Sequence, residues 1–335
     1  MPDAFTWLDG ERLTRFADGA VEEAPRLVAE RGMDRFVLLT TARASAASPA
    51  LRENADAVLH VPAGRVDELA AELLPKLDGR PVVALGGGRV IDTAKALAGA
   101  GAGPCAAVPT TLSGAPMTPF HRLPAGVEGA RWVRPALVVA DPALMESQPG
   151  PGRAASAMNA LAHAMESLYT PLANPVAELA ALRAAELFGR AVPRDDPPRG
   201  ELALAALLAG FAVGQTGLAM HHALCQTIVR VCGTPHAETN AVMLPHSARL
   251  MAHRAPAALG ELARALGDPV GDPEAAPGLI AKLAARSGHT RLSTLGVERG
   301  RLPTVVETAA AHGGLAATPD PPDRDELMAL LESAL

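Results

Sequence analysis

Short apolar runs alternate with helical spacing over about the first 150 residues. Residues 35–40, 57–61, 81–85, 106–109 and 137–140 are nearly unbroken apolar stretches. Runs of that length bounded by turn residues read as buried strands. Between them, residues 66–74 and 90–100 repeat apolar positions every three or four residues. Strands that alternate with helices predict a mostly parallel sheet covered on both faces. The pattern changes at Gln148-Pro149-Gly150-Pro151-Gly152. Proline and glycine in such density end one domain and start another. Beyond it every periodic segment is helical: 153–169, 176–190, 201–213, 218–231, 241–253, 257–266, 277–286, 302–312 and 324–335. The expected organisation is an α/β domain over 1–150 and an all-α domain over 151–335.

Composition narrows the picture. The chain has 335 residues, 49% hydrophobic but only 3% aromatic, so Ala, Leu and Val must fill two cores with close-packed helices and strands. The formal net charge is −6 with both signs interspersed, and no basic block suggests a nucleic-acid partner. No apolar stretch is long enough for a membrane span, and the opening residues lack an apolar leader core. Cys105, Cys225 and Cys232 form neither a disulfide framework nor a CxxC pair. A protein of the reducing cytoplasm is the expectation.

Two constellations carry chemistry. Gly86, Gly87 and Gly88 follow a strand and open a helix. Such a turn lets backbone approach a ligand and aims helix N–H groups at an anion such as a pyrophosphate. It equally serves as a tight strand–helix turn. Five of the ten histidines lie between positions 163 and 246, at 163, 221, 222, 236 and 246. Asn159 and His163 are four apart on one helix face, as are His222 and Gln226. His222 and His236 would stand about 20 Å apart on an unbroken helix. Gly233-Thr234-Pro235 breaks that helix and lets His236 fold back. A convergent site of Asn159, His163, His222 and His236 is one reading; helix-cap and surface histidines are the other.

The motifs around these residues resemble a known family. Residues 86–95, GGGRVIDTAK, are similar to the GGGSxxDxAK loop of iron-containing alcohol dehydrogenases. Residues 109–119, PTTLSGAPMTP, resemble PTTYAGSEMTP of the maleylacetate reductases in that superfamily. NALAHAMESLY at 159–169, HHALCQ at 221–226 and PHAETNAVMLPH at 235–246 resemble further maleylacetate reductase segments in the same order. The resemblance implies a dehydroquinate synthase-like fold: an α/β dinucleotide-binding domain with a parallel sheet, followed by an all-α domain. It implies NADH or NADPH at Gly86, Gly87, Gly88, Arg89, Asp92, Thr110, Thr111 and Thr118, with hydride passing to an enone or oxo acid such as maleylacetate. No acidic residue ends the strand at Thr40-Thr41, and Arg43 follows it, so the choice between the two cofactors stays open. His222, His236 and His163 become the catalytic candidates, with Asn159, Gln226 and His121 as substrate contacts. Asn159, His163, His222 and His236 match the metal positions of metal-bearing members. Asn in place of a carboxylate weakens such a site, so no metal is expected. A homodimer is implied as well. Arg89, Pro116 and Gln226 stand where the family has Ser, Glu and His. The alternatives are a diverged member with a changed reaction, such as a lyase, cyclase or other dehydrogenase, and a cofactor-binding protein without activity.

Overall fold

In a computed structural model of the protein, residues 4–335 are described, with side-chain burial from residue 9 onward. Met1, Pro2 and Asp3, part of the segment read for a leader, lie outside the described residues. The chain divides into two compact units, 1–148 and 149–335.

The first unit holds a seven-stranded sheet: β1 (Ala4–Asp9), β2 (Arg12–Ala17), β3 (Val37–Thr40), β4 (Ala57–His60), β5 (Val82–Gly86), β6 (Cys105–Pro109) and β7 (Leu137–Ala140). Their order is β1-β2-β7-β6-β5-β3-β4, and every pairing except β1 with β2 is parallel. The period-2 alternation of strands divides the core in two. Leu38, Val83, Leu85, Ala106, Val108, Leu137 and Val139 face one side, which the Ala20–Glu30 helix covers with Ala20, Val21, Ala24, Leu27 and Val28. Val37, Leu39, Val82, Ala84, Cys105 and Ala107 face the other, under the Val66–Leu73 and Gly88–Gly99 helices. Strand order reverses between β3 and β5, and the carboxyl ends of strands at such a switch point are where open α/β sheets take ligands. Residues 86–88 lie at the end of β5.

Two elements were not legible in the pattern. The β1–β2 hairpin adds an antiparallel edge, its turn made at Gly10 with φ 59°. Glycine at the first position of the two-residue Gly10-Glu11 loop was its signal. The Ala20–Glu30 helix carries Pro25 internally, which interrupts the helical signature.

The second unit is helical; among the described residues no strand follows Ala140. The Gly150–Ser167 helix is buried along nearly its whole length after the first turn. It packs on Pro175–Ala191, Glu201–Thr216 and His236–Arg254. Gly233, at φ 74°, stops the Met220–Cys232 helix, and Pro235 precedes the new helix that His236 begins. No single described helix is long and apolar enough to cross a membrane.

Candidate functional site

In the first unit the glycine turn is packed as well as permissive. A Cβ on Gly87 would stand 3.0 Å from Thr111 Cγ2, and one on Gly88 would stand 3.1 Å from Ser113 Oγ. The Thr110 N–H donates to the Gly86 carbonyl at 3.0 Å. Glycine therefore lets the segment after β6 lie against the start of the Gly88–Gly99 helix. That helix has no side-chain N-cap, and the hydroxyl oxygen of Ser113 is buried without a partner beside it. Unpaired helix N–H groups next to an unused hydroxyl fit a phosphate. Arg89 is exposed in the first turn.

Asp92 and Thr118 are engaged elsewhere. Both meet the ammonium of Lys95, which is completely buried. Lys95 Nζ donates to Asp92 Oδ1 at 2.7 Å, to the Ala115 carbonyl at 3.0 Å and to Thr118 Oγ1 at 3.2 Å. All three of its protons have acceptors, so Lys95 ties the helix to the 109–119 segment. Lys95 ends the 86–95 motif, but nothing in a helical pattern reveals a fully buried ammonium.

His121 is likewise occupied. Its Nδ1 donates to the Arg122 carbonyl at 3.0 Å, and its Nε2 accepts the Val133 N–H at 3.3 Å. One neutral tautomer satisfies both, and burial lowers the ring's proton affinity. His121 staples its own loop and keeps no ring nitrogen for a substrate.

In the second unit Asn159, His163 and Glu166 lie on successive turns of the Gly150–Ser167 helix, all buried. The His163 and His222 rings stack with centroids 4.5 Å apart and planes 10° from parallel. Asn159 Oδ1, His163 Nδ1 and His222 Nε2 are buried atoms without partners. Leaving such atoms unpaired costs about 1–3 kcal/mol each, so the cluster is built to receive a ligand. Burial and then the His222 charge push His163 well below the usual imidazole range. Burial, then His236, lowers His222 to about 3. Both shifts favour the neutral rings.

Glu166 completes the cluster. Its Oε2 lies 2.6 Å from His222 Nδ1, and its Oε1 accepts the His222 backbone N–H at 3.1 Å. Glu166 is the functional-site residue that sequence reasoning missed. It sits inside the quoted motif, three residues after His163 and on the same helix face. His236 opens its helix, held by Asn240, whose Nδ2 donates to the His236 carbonyl at 2.7 Å and lies 3.4 Å from its Nε2. Asn240 Oδ1 in turn lies 3.0 Å from Nε2 of His221. Gln226 is half-buried one turn after His222.

A divalent metal does not fit these donors. Asn159 brings a neutral amide where a carboxylate would offset the ion's charge, and Glu166 is turned onto His222 and helix N–H groups. Among the described residues no three His, Cys, Asp or Glu side chains form a metal-holding group.

Known proteins share this framework. A maleylacetate reductase of Sphingobium indicum is 33% identical over 89% of this chain and 88% of its own. Maleylacetate reductase 1 of Rhodococcus opacus is 35% identical over 76% of this chain and 72% of its own. The crystal structure of maleylacetate reductase from Agrobacterium tumefaciens superposes with a TM-score of 0.84 at 28% identity, covering 100% of this chain and 99% of that one. The iron-containing alcohol dehydrogenase model matches residues 12–142, and the C-terminal model of the Fe-containing alcohol dehydrogenase family matches residues 153–335. With both halves matched in order, the chain belongs to the iron-containing alcohol dehydrogenase family of oxidoreductases.

Proposed function

We propose that the protein reduces maleylacetate, or a closely related enone or oxo acid, with a nicotinamide cofactor. The observation that carries this is the buried Asn159–His163–His222 cluster with its unpaired polar atoms, within a sequence 33–35% identical to maleylacetate reductases. The first unit supplies the cofactor cradle. Helix N–H groups at Gly88 and Arg89 and the Ser113 hydroxyl would take the pyrophosphate, with Thr110 and Thr111 beside it. Bound there, the reduced nicotinamide supplies hydride.

The second unit supplies polar groups for the substrate. Hydride addition to a double bond conjugated to a ketone places enolate charge on the ketone oxygen, which needs a donor. Asn159 and His163 provide neutral groups on one helix face, and His236 stands close enough to His222 to influence its charge. A neutral set carries no fixed positive charge to neutralise a carboxylate, so recognition there rests on hydrogen bonds. Saturated product forms once the carbon next to the ketone takes a proton. Homodimeric assembly in the cytoplasm belongs to the same proposal, on the family likeness alone.

The test is fluorescence titration of NADH and of NADPH onto purified protein, followed by loss of reduced-nicotinamide absorbance with maleylacetate added as the hydride acceptor. Saturable turnover with one cofactor preferred is the expected result. Tight NAD(P)H binding without oxidation across several enone acids would overturn the assignment and favour a changed reaction.

A further inference from the structure

Glu166 is completely buried, and both of its carboxyl oxygens meet His222. The backbone N–H of His222 reaches Oε1 at 3.1 Å, and the imidazole Nδ1 reaches Oε2 at 2.6 Å. Backbone N–H groups of Ala219 and His221 lie near enough to favour its charged form. The Met220–Cys232 helix has no cap from its own N-cap residue, Ala219. A carboxylate from another helix therefore satisfies its orphan N–H groups. Burial pushes the Glu166 carboxyl up, and the nearby His221 and the backbone donors hold it down. The His222 backbone N–H fixes Oε1 as an acceptor, and the positive end of the Met220–Cys232 helix favours the ionised carboxyl, whose Oε2 then accepts as well.

The consequence falls on His222. If both Glu166 oxygens accept, Nδ1 must carry the ring proton, and Nε2 is left as a lone pair. That Nε2 is the buried atom without a partner. We propose that Glu166 is a positioning residue that locks His222 as the Nδ1–H tautomer and so presents Nε2 to the site as an acceptor. The ring plane is fixed as well, by the stack on His163 and an edge contact with His221 at 5.1 Å between centroids. In this state His222 orients a donor, the O–H of a water or of an enol. It cannot itself donate to an enolate oxygen. That task falls to the other polar groups of the cluster.

Glu166→Gln discriminates cleanly. An amide has one accepting oxygen. If that oxygen keeps the helix N–H groups, the NH2 faces Nδ1 and forces the ring proton to Nε2. The primary measurement is nitrogen-15 NMR of histidine-labelled protein, with the His222 signals assigned by their loss in His222→Asn. Wild type is expected to show a protonated Nδ1 and an unprotonated Nε2. Glu166→Gln is expected to show the reverse, and Glu166→Asp the wild-type pattern. The kinetic arm rests on the reductase assignment. There Glu166→Gln is expected to lower kcat about 10- to 100-fold, as loss of an orienting partner does, with KM changed no more than about twofold. Glu166→Asp should restore part of the rate. A protonated Nε2 in the wild type overturns the proposal whatever the activity, and needs no variant to fold. An unchanged kcat in a folded Glu166→Gln protein overturns it too. An inactive wild type with the expected tautomer refutes the substrate assignment and leaves the positioning of His222 standing.

Discussion

Lys95→Met tests whether a buried ammonium holds the 109–119 segment in place. Methionine nearly matches lysine in length and volume, so packing is kept while three hydrogen bonds are lost. Their worth is unequal. The Asp92 side chain is 31% exposed, so water replaces its lost partner and the ion pair contributes about 1 kcal/mol or less. The Ala115 carbonyl loses the bond it makes to the buried ammonium, at a cost of about 1–3 kcal/mol. Thr118 Oγ1 loses a donor but keeps its own proton to give, so its loss is the smaller one. These are net values, with the desolvation of the ammonium already included. The net expectation is a destabilisation of about 2 kcal/mol, below the 3–5 kcal/mol seen when a fully buried partner is stranded. Urea unfolding followed by far-UV circular dichroism measures the total. Amide hydrogen exchange locates it: the Met117 and Thr118 N–H groups, both bonded to the Gly114 carbonyl, should exchange faster while β7 does not. A variant within about 0.5 kcal/mol of wild type, with unchanged exchange at these amides, would refute the bracing role.

Two further outcomes follow from packing and charge. Gly99→Ala should destabilise the first unit by more than the roughly 1 kcal/mol that alanine gains in a helix, since its Cβ would fall 2.0 Å from the Arg131 carbonyl oxygen; a higher melting temperature would contradict it. His221 is lowered to about 3, and His246 to about 4, each chiefly by burial. A histidine depressed in the folded state stays neutral there while the unfolded chain gains a proton. Stability is therefore full above pH 6.5 and declines as pH falls toward 4 and then 3. Near pH 5 the fully buried His221 alone accounts for about 2 kcal/mol, and a urea midpoint unchanged between neutral pH and about 5 would rule this out.

Local pattern carried much of the architecture. Unbroken apolar runs located β3 and β5 to β7 because a parallel sheet buries both faces of its inner strands, while the terminal strand β4, read as buried, leaves Val58 and His60 exposed. The helices of the second half were legible for the same reason of period, and Gly233 with Pro235 marked the break that starts a helix at His236. The β1–β2 hairpin and the Ala20–Glu30 helix escaped, since an edge hairpin needs only a turn and a helix packed on a sheet tolerates Pro25.

Residue identity and order were enough to fix the family motifs, the glycine turn and the Asn159–His163 pair, because these depend on neighbours a few positions apart. Tertiary structure alone decided what each polar side chain touches. It turned Asp92 and Thr118 toward Lys95, closed His121 on its own loop, and set Glu166 against a ring 56 positions further along the chain. A hydrogen bond is settled within a few tenths of an ångström, and a sequence specifies such distances only through the packing of the whole core.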